Sequence, residues 1–376
     1  MKDILVIGGG KIGSVVAALL ADTPADTGYR VTVADRSAAL LADIERDARQ
    51  SPNHPPRLST RVLDVTDPAA LADALRGRFA VLSAAPFHLT LRVAQAAKAA
   101  GVHYLDLTED VASTRAIRAL ADGAHTALIP QCGLAPGFIS IVAADLCARF
   151  DSLDAVRMRV GALPAYPSNA LNYNLTWSTE GVINEYCEPC EAIVDGHACS
   201  VPALEEREEF SLDGVLYEAF NTSGGLGTLC ETLAGKVRTL NYRTIRYPGH
   251  AAIMKALLHD LRLKDRRDVL QDILEKSLPA TMQDVVIVFV TVAGQRDGRL
   301  MQDTYVRKVY SHVLAGRMRS AIQITTAASL CAMLDLLATN QLPQHGFVRQ
   351  EEVALAAFLG NRFGRAYAAD TLAHAA

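Results

Sequence analysis

The stretch "DILVIGGGKIGSVVAALLAD", residues 3–22, decides the fold. A short apolar run of β-forming residues breaks into glycines, and a segment with helical spacing and good helix formers follows at once. Gly8, Gly10 and Gly13 stand at that junction in the spacing G-x-G-x-x-G. The physical requirement is specific: Gly8 makes the tight turn, Gly10 leaves room for the backbone to approach a pyrophosphate, and Gly13 seats the helix close to the strand. Lys11 and Ile12 complete the turn, whose helix N-terminus faces the phosphates. Asp35 lies 22 residues beyond Gly13, at the end of the next strand "RVTVAD", where a carboxylate accepts hydrogen bonds from ribose hydroxyls. A 2′-phosphate there meets a negative charge, which favours NAD. Arg36 either stacks on adenine or pairs with a 2′-phosphate, so NADP stands second.

Outward from this turn the segments "LSTRVLDVTD", "FAVLSAAPF", "VHYLDLTED" and "TALIPQCG" read as further strands, with helical segments between most of them. Strand alternating with helix means a parallel sheet, a Rossmann domain over residues 1–132. From about Asp151 the pattern changes. "DAVRMRVGALP", "VLYEAFNTSGG", "TLNYRTIRYPG", "DVVIVFVTVAG" and "DTYVRKVYSHV" are strands joined by hairpin-like connections such as "GQRDGR". They predict an α+β substrate and dimerisation domain over residues 133–320 with a mixed, largely antiparallel sheet. Residues 321–376 begin with the long apolar-faced helix of "SAIQITTAASLCAMLDLLATNQ" and are expected to pack back on the N-terminal domain.

Composition narrows the function. The chain has 376 residues, 50% of them hydrophobic, a net charge of −4 and a pI near 6.2, which argues against a nucleic-acid or anionic-membrane partner. The N-terminus does not read as a signal peptide and no segment reaches 18 uninterrupted apolar residues, so a cytoplasmic location is expected. Seven cysteines, an odd number scattered along a long chain, read as reduced thiols. Cys187 and Cys190 form C-x-x-C without a second pair at zinc spacing, so no metal is expected.

Ligands of open parallel sheets lie beyond the carboxyl ends of the strands. That rule puts Asp64 and Val65, the small turn Ser83, Ala84, Ala85, Pro86, and Thr108 with Glu109 along the cofactor. The Ser83–Pro86 segment also suits a plain tight turn.

These residues carry a resemblance that spans nearly the whole chain. "GGGKIG", "LDVTD", "YLDLTEDV", "CGLAPGF", "VGALP", "LTWSTEGV" and "IRYPGH", in that order, resemble the saccharopine dehydrogenase family. "INEYCEPCEAIVDG" and "NTSGGLGTLCETLAGKV" are similar to its lysine 6-dehydrogenase branch. The resemblance implies a Rossmann domain joined to a substrate domain, an amino-acid substrate and a homodimer. It adds Gly133, Leu134 and Trp177 to the cofactor contacts, the last near the nicotinamide, and gives Arg246 to the substrate α-carboxylate. Thr244, Tyr173, Ser223 and His250 join the substrate pocket, with a core aromatic as the alternative for Tyr173 and a helix cap as the alternative for His250.

Departures from the family pattern bear on the substrate. Members that make or cleave saccharopine usually carry "GLDPG" and a "WSSRG"-like segment, with an arginine near "NTSGG"; this chain has Ala135, Glu180, and Ser223 with Gly224. A triacid then loses a charge-assisted hydrogen bond and gains a repulsion, whereas lysine, with one carboxylate and two ammonium groups, fits. Oxidation at a carbon bearing an amine needs a base within hydrogen-bond reach of the nitrogen. The candidates are Glu109, then Glu180, then Asp106, with His250 next; an acid at a helix start also suits a cap, a reading that covers Glu109 and Asp110. NAD(P)-dependent oxidative deamination of the lysine ε-amine to the semialdehyde or cyclic imine is therefore the leading expectation. Saccharopine oxidation to glutamate is the alternative within the class, and a non-catalytic dinucleotide sensor the alternative outside it.

Overall fold

The structure, a computed structural model, describes residues 1–24, 26, 28–49 and 57–368. Residues 369–376 of the expected C-terminal segment therefore lie outside the described residues. The chain divides into two compact units, each with its own large sheet.

The first unit comprises Met1–Phe138, Val313–Arg317 and residues 323–368. It opens with β1 (Lys2–Ile7), α1 (Gly13–Ala21), β2 (Tyr29–Asp35), α2 (Ala38–Arg49), β3 (Leu58–Val62) and α3 (Pro68–Leu75). It continues with β4 (Ala80–Ser83), α4 (Phe87–Ala100), β5 (His103–Asp106), α5 (Val111–Leu120) and β6 (Ala127–Ile129). The seven strands of its large sheet pair in parallel, in the order Gly346–Phe347, β6, β5, β4, β1, β2, β3. Parallel neighbours need crossovers, which the helices supply, and the strand order reverses at β1 and β4, so the crevice for a ligand opens beyond Ile7 and Ser83. Ile4, Leu5, Val6, Val81 and Leu82 have no exposed surface, as expected of central strands covered on both faces. Helix starts are chemically marked: Asp67 accepts from the Ala69 and Ala70 amides with Pro68 in the first turn, and Asp110 accepts from the Ser113 amide.

The second unit comprises Ile139–His312 and Met318–Ile322. Its elements follow α6 (Phe138–Cys147): β7 (Ser152–Pro164), α7 (Thr179–Cys187), β8 (Cys190–Val194), β9 (His197–Val201), β10 (Glu208–Leu212), β11 (Val215–Asn221) and α8 (Leu229–Thr232). Then come β12 (Val237–Arg246), α9 (His250–Lys255), α10 (Arg267–Ser277), β13 (Asp284–Arg296) and β14 (Arg299–Tyr310). The sheet runs β10, β11, β12, β7, β13, β14, with β8 and β9 joined through β12. Only the β7–β12 pair on that path is parallel, so the mixed, largely antiparallel sheet read from the sequence is present. The β13–β14 hairpin closes at Asp297 and Gly298, both at positive φ, as a tight turn matched to strand twist demands. The strands β8, β9 and β10, five residues each, go beyond the strands read from the sequence; β8 is mostly buried, β9 is exposed, and β10 alternates between half-buried and exposed.

The long helix α11 (Ala321–Ala338) is apolar enough by length and composition to span a membrane, with a mean hydropathy of 1.6, although no uninterrupted apolar run is that long. Most of it is buried inside the protein: Leu330, Met333, Leu334 and Leu337 have no exposed surface. Within the first unit its Asp335 accepts hydrogen bonds from Tyr29 Oη at 2.6 Å and Asn361 Nδ2 at 2.8 Å and is paired with Arg362. That single carboxylate ties helix α11 to strand β2 and to the chain that follows. Asp335→Ala, which strips three donors of their acceptor, is expected to cost about 2–4 kcal/mol in chemical denaturation. A loss below about 0.5 kcal/mol, the size of an ordinary surface change, contradicts this account.

Candidate active site

The turn after β1 is built by close backbone approaches. Gly8 has φ +96°, and a Cβ there would lie 2.7 Å from the Ala84 carbonyl oxygen; a Cβ on Gly13 would lie 1.8 Å from the Gly8 oxygen. Neither position admits a side chain. Gly10 is different: exposed, with nothing within 4 Å of a Cβ, it leaves open space above the turn. Lys11 is exposed and Ile12 precedes α1, whose N-terminus has no side-chain cap. Uncapped amides, the open space at Gly10 and the positive helix end fit a pyrophosphate. Ser83 Oγ, buried at the end of β4 with no hydrogen-bond partner, adds a polar atom at the strand-order reversal.

Asp35 is half-buried, and its two oxygens accept from the Gly9 and Ser37 amides, each at 2.8 Å. It therefore holds the glycine turn in place, and its remaining lone pairs stay free for ribose hydroxyls. Arg36 is exposed beside it. Along the same rim Asp64 forms a turn with Thr66, whose hydroxyl and amide hold its carboxyl below the usual range. Val65 is buried. Ala84 and Ala85 are half-buried and Pro86 is exposed just before α4, so the turn leaves a low profile. Thr108 is buried, its hydroxyl accepting from the Asp110 amide, and Gly133 and Leu134 are buried in the loop after β6.

Asp106, one of the acids expected as a base, is engaged within its own unit. Its carboxylate is fully buried and accepts from Tyr104 Oη at 2.8 Å, the Gln131 amide at 2.8 Å and the Thr108 amide at 3.0 Å. Burial pushes it up to about 6, against the pull of these donors. It braces the end of β5 to the loop after β6, and three internal donors occupy it. The α5 cap is Asp110, which leaves Glu109, half-buried one residue earlier, outside that role.

The second unit assembles a buried cluster around Arg246, at the end of β12. The residue is 2% exposed; its guanidinium donates from Nε to Tyr186 Oη at 3.0 Å and from Nη1 to the Ile245 carbonyl at 2.9 Å, and lies 5.0 Å from the Tyr173 ring centre. Burial lowers its proton affinity, yet Tyr186, Tyr173 and Glu185 together raise it more, so it stays charged. Two arginines are buried among the described residues; Arg159 is paired with Glu208, whereas Arg246 has no ion pair. Tyr173 Oη and Thr176 Oγ1 are buried without hydrogen-bond partners. Tyr173 is thus at once a core aromatic and a wall of this cluster.

Around it, Thr244 Oγ1 and Thr222 Oγ1 share a hydrogen bond of 2.7 Å, and the Ser223 amide donates to the Glu185 carbonyl at 3.0 Å. His250 does not cap α9, whose cap is Gly249. Its ring is buried, with Nδ1 2.8 Å from the Leu171 carbonyl and Nε2 3.1 Å from Tyr186 Oη. Burial, then the Arg246 charge, hold it down at about 3, so the ring is neutral. With both nitrogens engaged, it is not a free base. Glu180, half-buried in the first turn of α7 behind the Ser178 cap, makes no hydrogen bond or ion pair among the described residues. Trp177 packs partly buried against the same apolar cluster. Sequence reasoning missed Tyr186 and Glu185. The signal available was the buried face of α7, on which Tyr186 follows Val182 and Ile183 at helical spacing. Among the described residues no group of three or more His, Cys, Asp and Glu side chains is arranged to hold a metal ion.

Comparison with known proteins adds two findings. Residues 4–129 match the family model of the saccharopine dehydrogenase NADP binding domain, and residues 133–361 that of the saccharopine dehydrogenase C-terminal domain. Among solved structures the chain is similar to the apo, histidine-tagged saccharopine dehydrogenase (L-Glu forming) of Saccharomyces cerevisiae, with a TM-score of 0.74 and 18% identity over 93% of this chain and 94% of that one. An engineered D-amino acid dehydrogenase bound to NADP+ aligns over 98% of this chain and 99% of its own, with a TM-score of 0.49 and 14% identity. The C. glutamicum DAP dehydrogenase in complex with DAP does so over 98% and 99%, with 0.48 and 12%. The first unit is accordingly an NAD(P)-binding domain.

Two outcomes test this geometry. Gly10→Ala is expected to leave thermal stability unchanged while weakening NADH about tenfold or more, equivalent to about 1.4 kcal/mol, in a fluorescence titration; equal affinity contradicts the phosphate role of the turn. For His250, the unfolded ring takes a proton near 6.5 and the folded ring only near 3, so the unfolded chain binds more protons below 6.5 and stability falls as pH drops. Between pH 7 and 5 this single group is expected to remove about 2 kcal/mol, read as the difference in denaturation slope between wild type and His250→Gln. Parallel slopes exclude a neutral buried ring.

Proposed function

The chain belongs to the saccharopine dehydrogenase family, and from that membership we propose that this NAD(P)-binding oxidoreductase oxidatively deaminates an amino acid, with the ε-amine of L-lysine as its substrate. The observation that carries the proposal is the charge inventory around Arg246. One buried guanidinium without an ion pair accommodates one carboxylate; Arg267, beside α7, is already paired with Glu188, and Arg159 and Arg243, paired with Glu208 and Glu206, project from the opposite face of the sheet. A triacid needs further cations, and the segment at residues 221–225 offers Ser223 and Gly224. The likeness to the yeast enzyme favours saccharopine as the second reading.

A dinucleotide held at the Gly8–Gly13 turn and Asp35 would supply a hydride acceptor. The protein's part is to bind, orient and deprotonate. Arg246 takes the α-carboxylate, and Tyr173 lies against the guanidinium as one face of the pocket. Glu180, whose carboxylate is unengaged, or Glu109 removes a proton from the ε-ammonium, because a nitrogen lone pair must be free to expel hydride from the adjacent carbon. The resulting imine adds water and releases ammonia, and the aldehyde closes on the α-amine with loss of water. Asp35 favours NAD, since its carboxylate opposes a 2′-phosphate. The seven cysteines, all unpaired, are consistent with a cytoplasmic enzyme, and a homodimer is part of the same reading.

Absorbance at the NADH band on adding L-lysine, saccharopine, ornithine or 1,5-diaminopentane tests the reading. Lysine is expected to be oxidised fastest with NAD. Glu180→Gln or Glu109→Gln is expected to lower turnover on the order of 100-fold with NADH binding retained. Faster oxidation of saccharopine moves the assignment to the second reading, and inactivity with every amine refutes both.

A further inference from the structure

We infer that Tyr186 and His250 act as a positioning pair that fixes the guanidinium of Arg246 in one orientation to receive a substrate carboxylate. The inference rests on the reading of Arg246 as the carboxylate anchor. Hydrogen-bond direction carries the argument. The Leu171 carbonyl only accepts, so His250 Nδ1, 2.8 Å away, bears the ring hydrogen. A neutral imidazole has one such hydrogen, which leaves Nε2 as an acceptor. Tyr186 Oη, 3.1 Å from that nitrogen, must then donate its only hydrogen to it. Its lone pairs are thereby turned to Arg246 Nε, 3.0 Å away, which donates.

The opposite tautomer sets two lone pairs against each other at Leu171 and turns Tyr186 Oη into an acceptor from the ring. The chain Arg246 Nε–H to Tyr186 O–H to His250 Nε2, and His250 Nδ1–H to Leu171 O, therefore runs in a single direction. Aromatic walls hinder ring rotation: Phe220 stacks on His250 at 6.2 Å and 8°, and Tyr173 meets it edge-on at 5.5 Å. With Nε given to Tyr186 and one Nη1 hydrogen to Ile245, three of the five guanidinium N–H groups remain, enough for a bidentate carboxylate. Glu185 and Tyr173 add to the field that keeps Arg246 charged. Tyr186 and His250 touch no reacting atom in this scheme. They are positioning residues, and their effect is on carboxylate binding.

The test uses calorimetric titration of the full chain, with NADH present, against two probes. L-norleucine carries the carboxylate and no ε-amine, so it is never turned over. Pentan-1-amine carries no carboxylate. Wild type is expected to bind L-norleucine about tenfold or more tightly than pentan-1-amine. Tyr186→Phe and His250→Leu are expected to lose about tenfold for L-norleucine and nothing for pentan-1-amine, with NADH affinity unchanged. Unchanged L-norleucine affinity in Tyr186→Phe, or equal losses for both probes, overturns the proposal. Wild type that binds both probes alike overturns it too. Should the variants fail to fold, 15N NMR of histidine-labelled wild type decides: an Nδ1–H tautomer at His250 supports the pair, and an Nε2–H tautomer overturns it. Intact L-norleucine binding with no oxidation of lysine counts against the lysine reading alone.

Discussion

A guanidinium removed from water without a carboxylate partner is the constraint around which the second unit is arranged. Burying an unpaired charge is prohibitive unless its N–H groups find oxygens and its faces find polarisable neighbours. Arg246 meets that demand with the Tyr186 hydroxyl, the Ile245 carbonyl and the faces of Tyr173 and Tyr186. Meeting it joins helix α7, the end of β12, the start of α9 and the loop at Leu171 into one hydrogen-bonded chain. The apolar cluster of Val182, Ile183, Phe220, Met254 and Leu270 packs around those same elements, so fold and site share their supports.

The first unit is governed by proximity of backbone. At Gly13 a helix comes so near a strand end that no side chain fits, and at Gly8 the same holds for the neighbouring strand. The polar residues at this sheet's rim divide their capacity between loops and ligand. Asp35 takes two backbone amides and keeps lone pairs outward, whereas Asp106 is occupied by three internal donors. Two carboxylates at the ends of strands in one parallel sheet thus have different fates: each takes two backbone amides, and Asp106 is set apart by the Tyr104 hydroxyl and by its complete burial.

The readable parts of the site were those whose chemistry is local in sequence. The glycine spacing, the acid at the end of β2, and the turn at Asp297 and Gly298 each depend on residues within one element or turn. The surroundings of Asp106 and His250 depend on contacts across long separations. Asp106 receives an amide from Gln131, and His250 faces Leu171 and Tyr186, none of them near in sequence. Glu109 and Asp110, adjacent and alike in sequence, separate only when the loop lets Asp110 alone reach the Ser113 amide. The strands β8, β9 and β10 escaped because five residues give too short a window for periodicity, and in β9 nearly every position is exposed.

By itself the sequence determined the alternation that makes a parallel nucleotide-binding sheet, the change to hairpin-linked strands, and the family, because periodicity, glycine spacing and motif order are properties of short stretches. Tertiary structure alone decided which acids are braces and which stay free, which arginine is buried without a partner, and which way a tyrosine hydroxyl points. Those outcomes depend on burial and on donor direction, and both exist only once segments distant in the chain have been brought together.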